Sequence, residues 1–129
     1  MTYYFSKELE CSFDEAIEKT TDVLKQNGMG VLTTIDIKEK MKEKLDVDFR
    51  RYKILGACSP RHAYKALSKE DKVGTMLPCN VIVQEHGPGR IEVAAINPVA
   101  SMQAIQNPDL GEIAQEVQGL LRKVIQELA

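Results

Sequence analysis

The strongest constraint on how this chain can fold is an apolar stripe near its C-terminus. Leu110, Ile113, Val117, Leu121, Val124 and Leu128 recur at spacings of three and four, which predicts a long helix with one buried face. Asn107-Pro108 opens it, with Asp109 and Glu112 near its start and Arg122 and Lys123 near its end, the charge order that a helix dipole favours. A one-sided helix needs a broad apolar surface to lie on. The residues ahead of it read as strands. Arg90 to Ile96 alternates, with Ile91, Val93 and Ala95 on one face and Arg90 and Glu92 on the other. Gly87-Pro88-Gly89 is a hairpin turn joining it to a preceding strand over Met76 to Glu85. Pro78 cannot donate to a ladder, so an edge position or a bulge is expected there.

The first half repeats this alternation of helix and strand. Residues 2–10 carry three aromatics and alternate weakly, a first strand. Ser12-Phe13-Asp14-Glu15 is a capping box, and Phe13, Ala16, Ile17, Thr20 and Leu24 behind it share one helical face. Asn27-Gly28 ends that helix. Val31 to Ile35 is a short β-branched strand, and Asp36 caps a surface helix carrying Ile37, Met41 and Leu45. Tyr52 to Cys58 is a third strand, and Ser59-Pro60 starts a helix through about Leu67. The main order is β-α-β-β-β-β-α with extra short helices. Hairpins dominate its second half, so the expected fold is α+β: one mostly antiparallel curved sheet with helices covering one face.

A length of 129 residues, 43% of them hydrophobic and 28% charged, fits one domain over 1–129 and excludes disorder. Repeats and low-complexity tracts are absent. The N-terminus lacks the pattern of a signal peptide, and no apolar run approaches the ~20 residues of a membrane helix. Three cysteines make a poor disulfide framework. A cytoplasmic protein with reduced thiols and no membrane association is expected. The net charge is −2, and the one basic stretch, Asp36 to Lys53, sets seven basic residues against five acidic ones. That is a mixed-charge surface, so no nucleic-acid partner is expected.

Walker loops, His-Glu-x-x-His helices, Cys-x-x-Cys pairs and Gly-x-Ser-x-Gly elbows are all absent. Gly28-Met29-Gly30 lies between a helix and a strand, the reverse of a dinucleotide site. The most reactive segment is Gly56-Ala57-Cys58-Ser59-Pro60-Arg61-His62. Cys58 precedes a helix N-terminus, which favours a thiolate, and His62 in the first turn offers a proton acceptor. The plain alternative is a buried cysteine ending a strand. A second candidate is Leu77-Pro78-Cys79-Asn80. Cys79 shares parity with Val81 and Val83, and Cys58 with Tyr52 and Ile54. If both sets face inward, the thiols approach each other, and His62 completes a soft metal site. Without a fourth ligand, two separate core cysteines are the alternative. Cys11 is placed to staple against Ala16, and His86 is expected to be a solvated loop residue.

Tyr52-Lys53-Ile54-Leu55-Gly56-Ala57-Cys58-Ser59-Pro60, Leu77-Pro78-Cys79-Asn80-Val81, Asn97-Pro98 and Asn107-Pro108 together resemble a prokaryotic family, domain of unknown function 302. The resemblance covers nearly the whole chain. It implies a fold grouped with the TATA-binding-protein-like folds, described as β-α-β(4)-α, which agrees with the order read above. It also implies that Cys58, Pro60, Pro78 and Cys79 match the family's motifs and that the protein is a homodimer. It carries no activity, and a fold label does not import DNA binding.

Three functions from different classes follow. The first is a small-ligand or metal-binding domain with a pocket near Cys58 and Cys79, its candidate residues being Cys58, Pro60, His62, Pro78 and Cys79. The second is a structural or regulatory homodimer in which these residues only pack. The third is a thiol-dependent redox enzyme using Cys58.

Overall fold

The computed structural model describes residues 2–129. Its principal elements run β1 (Tyr4–Leu9), α1 (Phe13–Gln26), β2 (Gly30–Asp36), α2 (Ile37–Leu45), β3 (Tyr52–Cys58) and α3 (Pro60–Lys69). A 3-10 helix (Asp71–Met76) follows, then β4 (Cys79–Gly87), β5 (Arg90–Ile96), the short α4 (Pro98–Ser101) and α5 (Asp109–Glu127). The five strands form one antiparallel sheet in the order β1-β5-β4-β3-β2. The α+β fold is as expected, with a wholly antiparallel sheet. β1 and β2 lie at opposite edges, so α1 must cross the whole sheet to join them.

Local chemistry explains where the elements begin and turn. The Ser12 Oγ accepts from the Glu15 amide at 3.1 Å and the Asp36 carboxylate from the Glu39 amide at 3.0 Å; each satisfies a donor that the first turn leaves free. The β4–β5 turn has Pro88 and Gly89 at its centre, and Gly89 adopts φ +73°, a conformation only glycine takes without strain.

The helices α1 and α5 pack on one face of the sheet. Phe13, Ala16, Thr20 and Leu24 of α1 are buried, as are Leu110, Ile113, Val117, Leu121 and Val124 of α5. Phe13, Ala16 and Leu24 of α1 and Val117, Leu121 and Val124 of α5 share one cluster with Leu55 and Ala57 of β3, Val81 and Val83 of β4, and Ile91, Val93 and Ala95 of β5. A smaller cluster of Ala66, Val73, Leu110 and Ile113 lies under α3 and the 3-10 helix, joined by Leu77 and Met102. Among the described residues, no helix of this kind lies across the opposite face of the sheet. There the register aligns Ile35, Ile54, Ile82 and Ala94 in one row across four strands.

Three expectations change. Residues 71–76 form the 3-10 helix, so β4 starts at Cys79 rather than Met76. Pro78 therefore precedes a central strand instead of sitting in an edge strand or bulge, and its missing N–H costs no ladder bond. The bulge in β4 falls at its far end, between Glu85 and Gly87. His86 belongs to β4 rather than a free loop, and its Nε2 lies 3.0 Å from the Glu92 carboxylate.

Candidate functional site

The chain leaves β3 at Cys58 and turns directly into α3, while Leu77-Pro78 brings it back into β4. Ala57 of β3 pairs with Cys79 of β4, so the two crossings are held side by side. Between them, α3 and the N-terminal half of α5 there is a cavity of about 260 Å³, near the lower end of ligand cavities at ~300–1,000 Å³. It sits at the seam between the two hydrophobic clusters. Met29, Ala57, Cys79 and Val117 come from the larger one, and Ala66, Leu77, Met102 and Ile113 from the smaller.

Two backbone features shape its wall. In β2, Val31 pairs with Ala57 and Thr33 with Gly56, leaving Leu32 as an extra residue. That bulge places Leu32 on the cavity rim, where it is 66% exposed. Gly56 lies directly beneath the Thr33 hydroxyl and the Pro78 ring. A Cβ at residue 56 would collide with the Thr33 Oγ1 and come within 2.7 Å of Pro78 Cγ. The glycine lets both side chains cross the sheet at that point.

Four of the five residues singled out from the sequence line this cavity: Cys58, His62, Pro78 and Cys79. Pro60 does not, being exposed at the first position of α3. The route by which Cys58 arrives differs from expectation. The inward set of β3 is Leu55 and Ala57, not Tyr52 and Ile54. Cys58 therefore has outward parity and reaches the cavity only because it ends the strand. Cys79 does face inward with Val81 and Val83.

The thiols are both free, and neither is activated. Burial pushes the Cys58 thiol above its ordinary pKa. Burial pushes Cys79 further, to about 11, and the neighbouring Cys58 adds charge repulsion. For Cys58, loss of solvent works against the thiolate that a helix N-terminus favours. Cys58, Cys79 and His62, expected from the sequence as a metal site, all line the cavity. Among the described residues no three His, Cys, Asp or Glu side chains converge to hold a metal ion. Both nitrogens of His62 are already engaged.

Those engagements are the polar part of the site. Ser59 Oγ lies 2.7 Å from His62 Nδ1, and His62 Nε2 lies 2.9 Å from Glu116 Oε2 on α5. Ser59 occupies the N-cap of α3, as expected, but its side chain makes no cap bond; its hydroxyl is committed to the imidazole. Glu116 was not legible as a site residue. It lies off the buried stripe of α5, 54 residues from His62, and no local pattern links the two.

The comparisons with known proteins agree with this architecture. No curated protein sequence matches the chain. Among solved structures it is similar to the crystal structure of the uncharacterized conserved protein DUF302 from Bacillus stearothermophilus, at 28% identity and a TM-score of 0.90, with 100% of each chain covered. The family model described as domain of unknown function DUF302 matches residues 5–128. A match of that extent leaves only the terminal residues outside it, and the chain belongs to the DUF302 family.

Proposed function

We propose that this protein binds a small apolar ligand in the cavity between β3, β4, α3 and α5. The observation that carries the reading is the character of the wall. Of its sixteen lining residues, only Ser59 and His62 bear polar side chains other than thiols. A cavity of that kind is poorly hydrated and gains free energy when an apolar group fills it. Met29 and Met102 add flexible sulfur-bearing side chains that adapt to a guest. The ligand is expected to be a short alkyl or acyl chain whose polar end lies at Ser59 and His62. The raised pKa of both thiols argues for a lining role over redox chemistry. Three free thiols accord with a reducing, cytoplasmic setting.

Titration with n-hexanol, followed through the methionine methyl resonances, tests this reading. Saturable shifts at Met29 and Met102 are expected, and Ala63→Phe, which fills the cavity from α3, should abolish them. Wild-type protein whose methionine signals stay unmoved would rule it out.

We further infer that the helix-free sheet face receives a second copy of the chain. Its apolar row, Ile35, Ile54, Ile82 and Ala94, spans four strands, and contiguous apolar surface of this kind marks interaction sites. The charges beside it favour self-pairing. Arg50 lies at the β3 side, stacked on Phe49 and Tyr52, while Glu92 and Glu8 lie opposite each other on β5 and β1. A two-fold axis parallel to the strands would set each Arg50 over the acidic end of its partner, as an isologous interface requires. Light scattering after gel filtration should report a dimer for the wild type and a monomer for Ile82→Glu. A monomeric wild type would refute it.

A further inference from the structure

The chain Ser59–His62–Glu116 stands at the polar end of the apolar cavity, and its geometry goes beyond what ligand retention needs. We infer that it is a catalytic site for hydrolysing carboxylic esters with a short apolar acyl chain. This inference rests on the apolar-ligand reading of the cavity.

The hydrogen-bond directions follow from the chemistry of the three groups. A carboxylate only accepts, so Glu116 requires a hydrogen on His62 Nε2 at 2.9 Å. That leaves Nδ1 as a lone pair, and the Ser59 hydroxyl donates to it at 2.7 Å. The imidazole is thus fixed as a base facing a serine hydroxyl, with a carboxylate behind it. This is the logic of a Ser-His-acid triad with the two ring nitrogens exchanged; the base needs one lone pair and one N–H, in either order. The side chain of Ser59 makes no cap bond at the start of α3, so its hydroxyl is not diverted to structure. Ser59 and His62 also line the cavity, whereas Glu116 lies behind them.

With an acyl chain in the cavity, its carbonyl carbon lies at Ser59. The Ser59 Oγ attacks that carbon while its proton passes to His62 Nδ1, and the Nε2–H donated to Glu116 supports the resulting imidazolium. The bond between the carbonyl carbon and the alcohol oxygen breaks, and the alcohol leaves with the proton from Nδ1. Water then gives a proton to Nδ1 and attacks the acyl-serine. The carboxylic acid departs and Ser59 regains its proton. No oxidant or metal enters the balance. The first-turn amides of Arg61 and His62, which precede any intrahelical acceptor, are the nearest backbone donors for the transient oxyanion. Ser59 and His62 are catalytic residues in this scheme, and Glu116 is a positioning residue.

The test uses p-nitrophenyl butyrate as substrate and an alkyl fluorophosphonate as covalent probe, with n-hexanol titrations run in parallel. Wild-type protein is expected to turn over the ester and to carry one probe adduct mapping to Ser59. Ser59→Ala should lose hydrolysis by about 100-fold or more, while the methionine methyl resonances of the unliganded variant keep their wild-type positions, which shows that the cavity is intact. Glu116→Ala should lower kcat with KM unchanged, a split that a merely structural role would not produce. A Ser59→Ala protein as active as the wild type, or a probe adduct elsewhere, overturns the catalytic inference. If n-hexanol binds but no ester is hydrolysed and no adduct forms, catalysis fails and the binding reading survives. If Ser59 is labelled but n-hexanol never binds, the apolar-ligand reading alone fails.

Discussion

Gly56 shows how one residue governs this site. Its missing side chain leaves room for both Thr33 and Pro78 beside β3, and Pro78 is part of the cavity wall. Gly56→Ala should destabilise the fold by about 2–3 kcal/mol, as overpacking does, measurable by urea denaturation. Thr20 presents the opposite case. It is fully buried in the stripe of α1, and its Oγ1 has no hydrogen-bond partner. Thr20→Val should raise stability by about 1 kcal/mol, because the desolvated hydroxyl is removed and the shape kept; thermal unfolding reads this directly. Cys79 couples the site to pH. The folded protein holds its proton more tightly than the unfolded chain does, since its pKa rises from 9.0 to about 11. Stability from this group is complete below pH 9 and is lost as the pH climbs towards 11, by about 2–3 kcal/mol. Denaturation curves across that range should be steeper in pH for the wild type than for Cys79→Ala.

At the scale of elements, two serines at helix starts do different work. Ser12 caps α1 through the Glu15 amide, whereas Ser59 stands at the same position of α3 and bonds His62 instead. Ser12→Ala should therefore cost about 1 kcal/mol, the usual value of a cap, and Ser59→Ala clearly less. Both are read from chemical denaturation of the single variants. From sequence both look like N-caps, because the preference for serine there is local. The competing acceptor on His62 becomes a partner only once α5 holds the ring through Glu116. Other polar starts are as local as they look. Asn97 accepts from the Val99 amide and Asn107 from the Asp109 amide, and each precedes a proline that suits the first helical turn.

Across the whole molecule, stability should be graded by position in the sheet. β4 and β5 are interior strands that carry much of the main core, whereas α2 buries no residue. Hydrogen exchange should find the amides of 81–83 and 91–95 opening only with global unfolding, and those of α2 exchanging soonest among the longer helices. Both proposed surfaces belong to this same scale. The cavity is a seam that neither hydrophobic cluster closes, and the helix-free face exists because α1 and α5 both pack on one side of the sheet.

Whatever repeats with the period of its own element was legible in the order of residues alone. The stripes of α1 and α5, the alternation of Ile91, Val93 and Ala95, the parity of Cys79 with Val81 and Val83, the caps at Ser12 and Asp36 and the turn at Pro88-Gly89 all appear as read. Each records a residue's relation to its own backbone. Whatever depends on a neighbour distant in sequence was set by packing. The bulge at Leu32 is a mismatch between two strands. The inward set of β3 is chosen by what packs on it, so Tyr52 and Ile54 face away although their pattern is equally apolar. The pairing of His62 with Glu116 joins α3 to α5, and the raised pKa of Cys58 reflects burial that no periodicity encodes. Periodicity tells which side of an element is covered; only packing tells what covers it, and the chemistry of this site lies in that second fact.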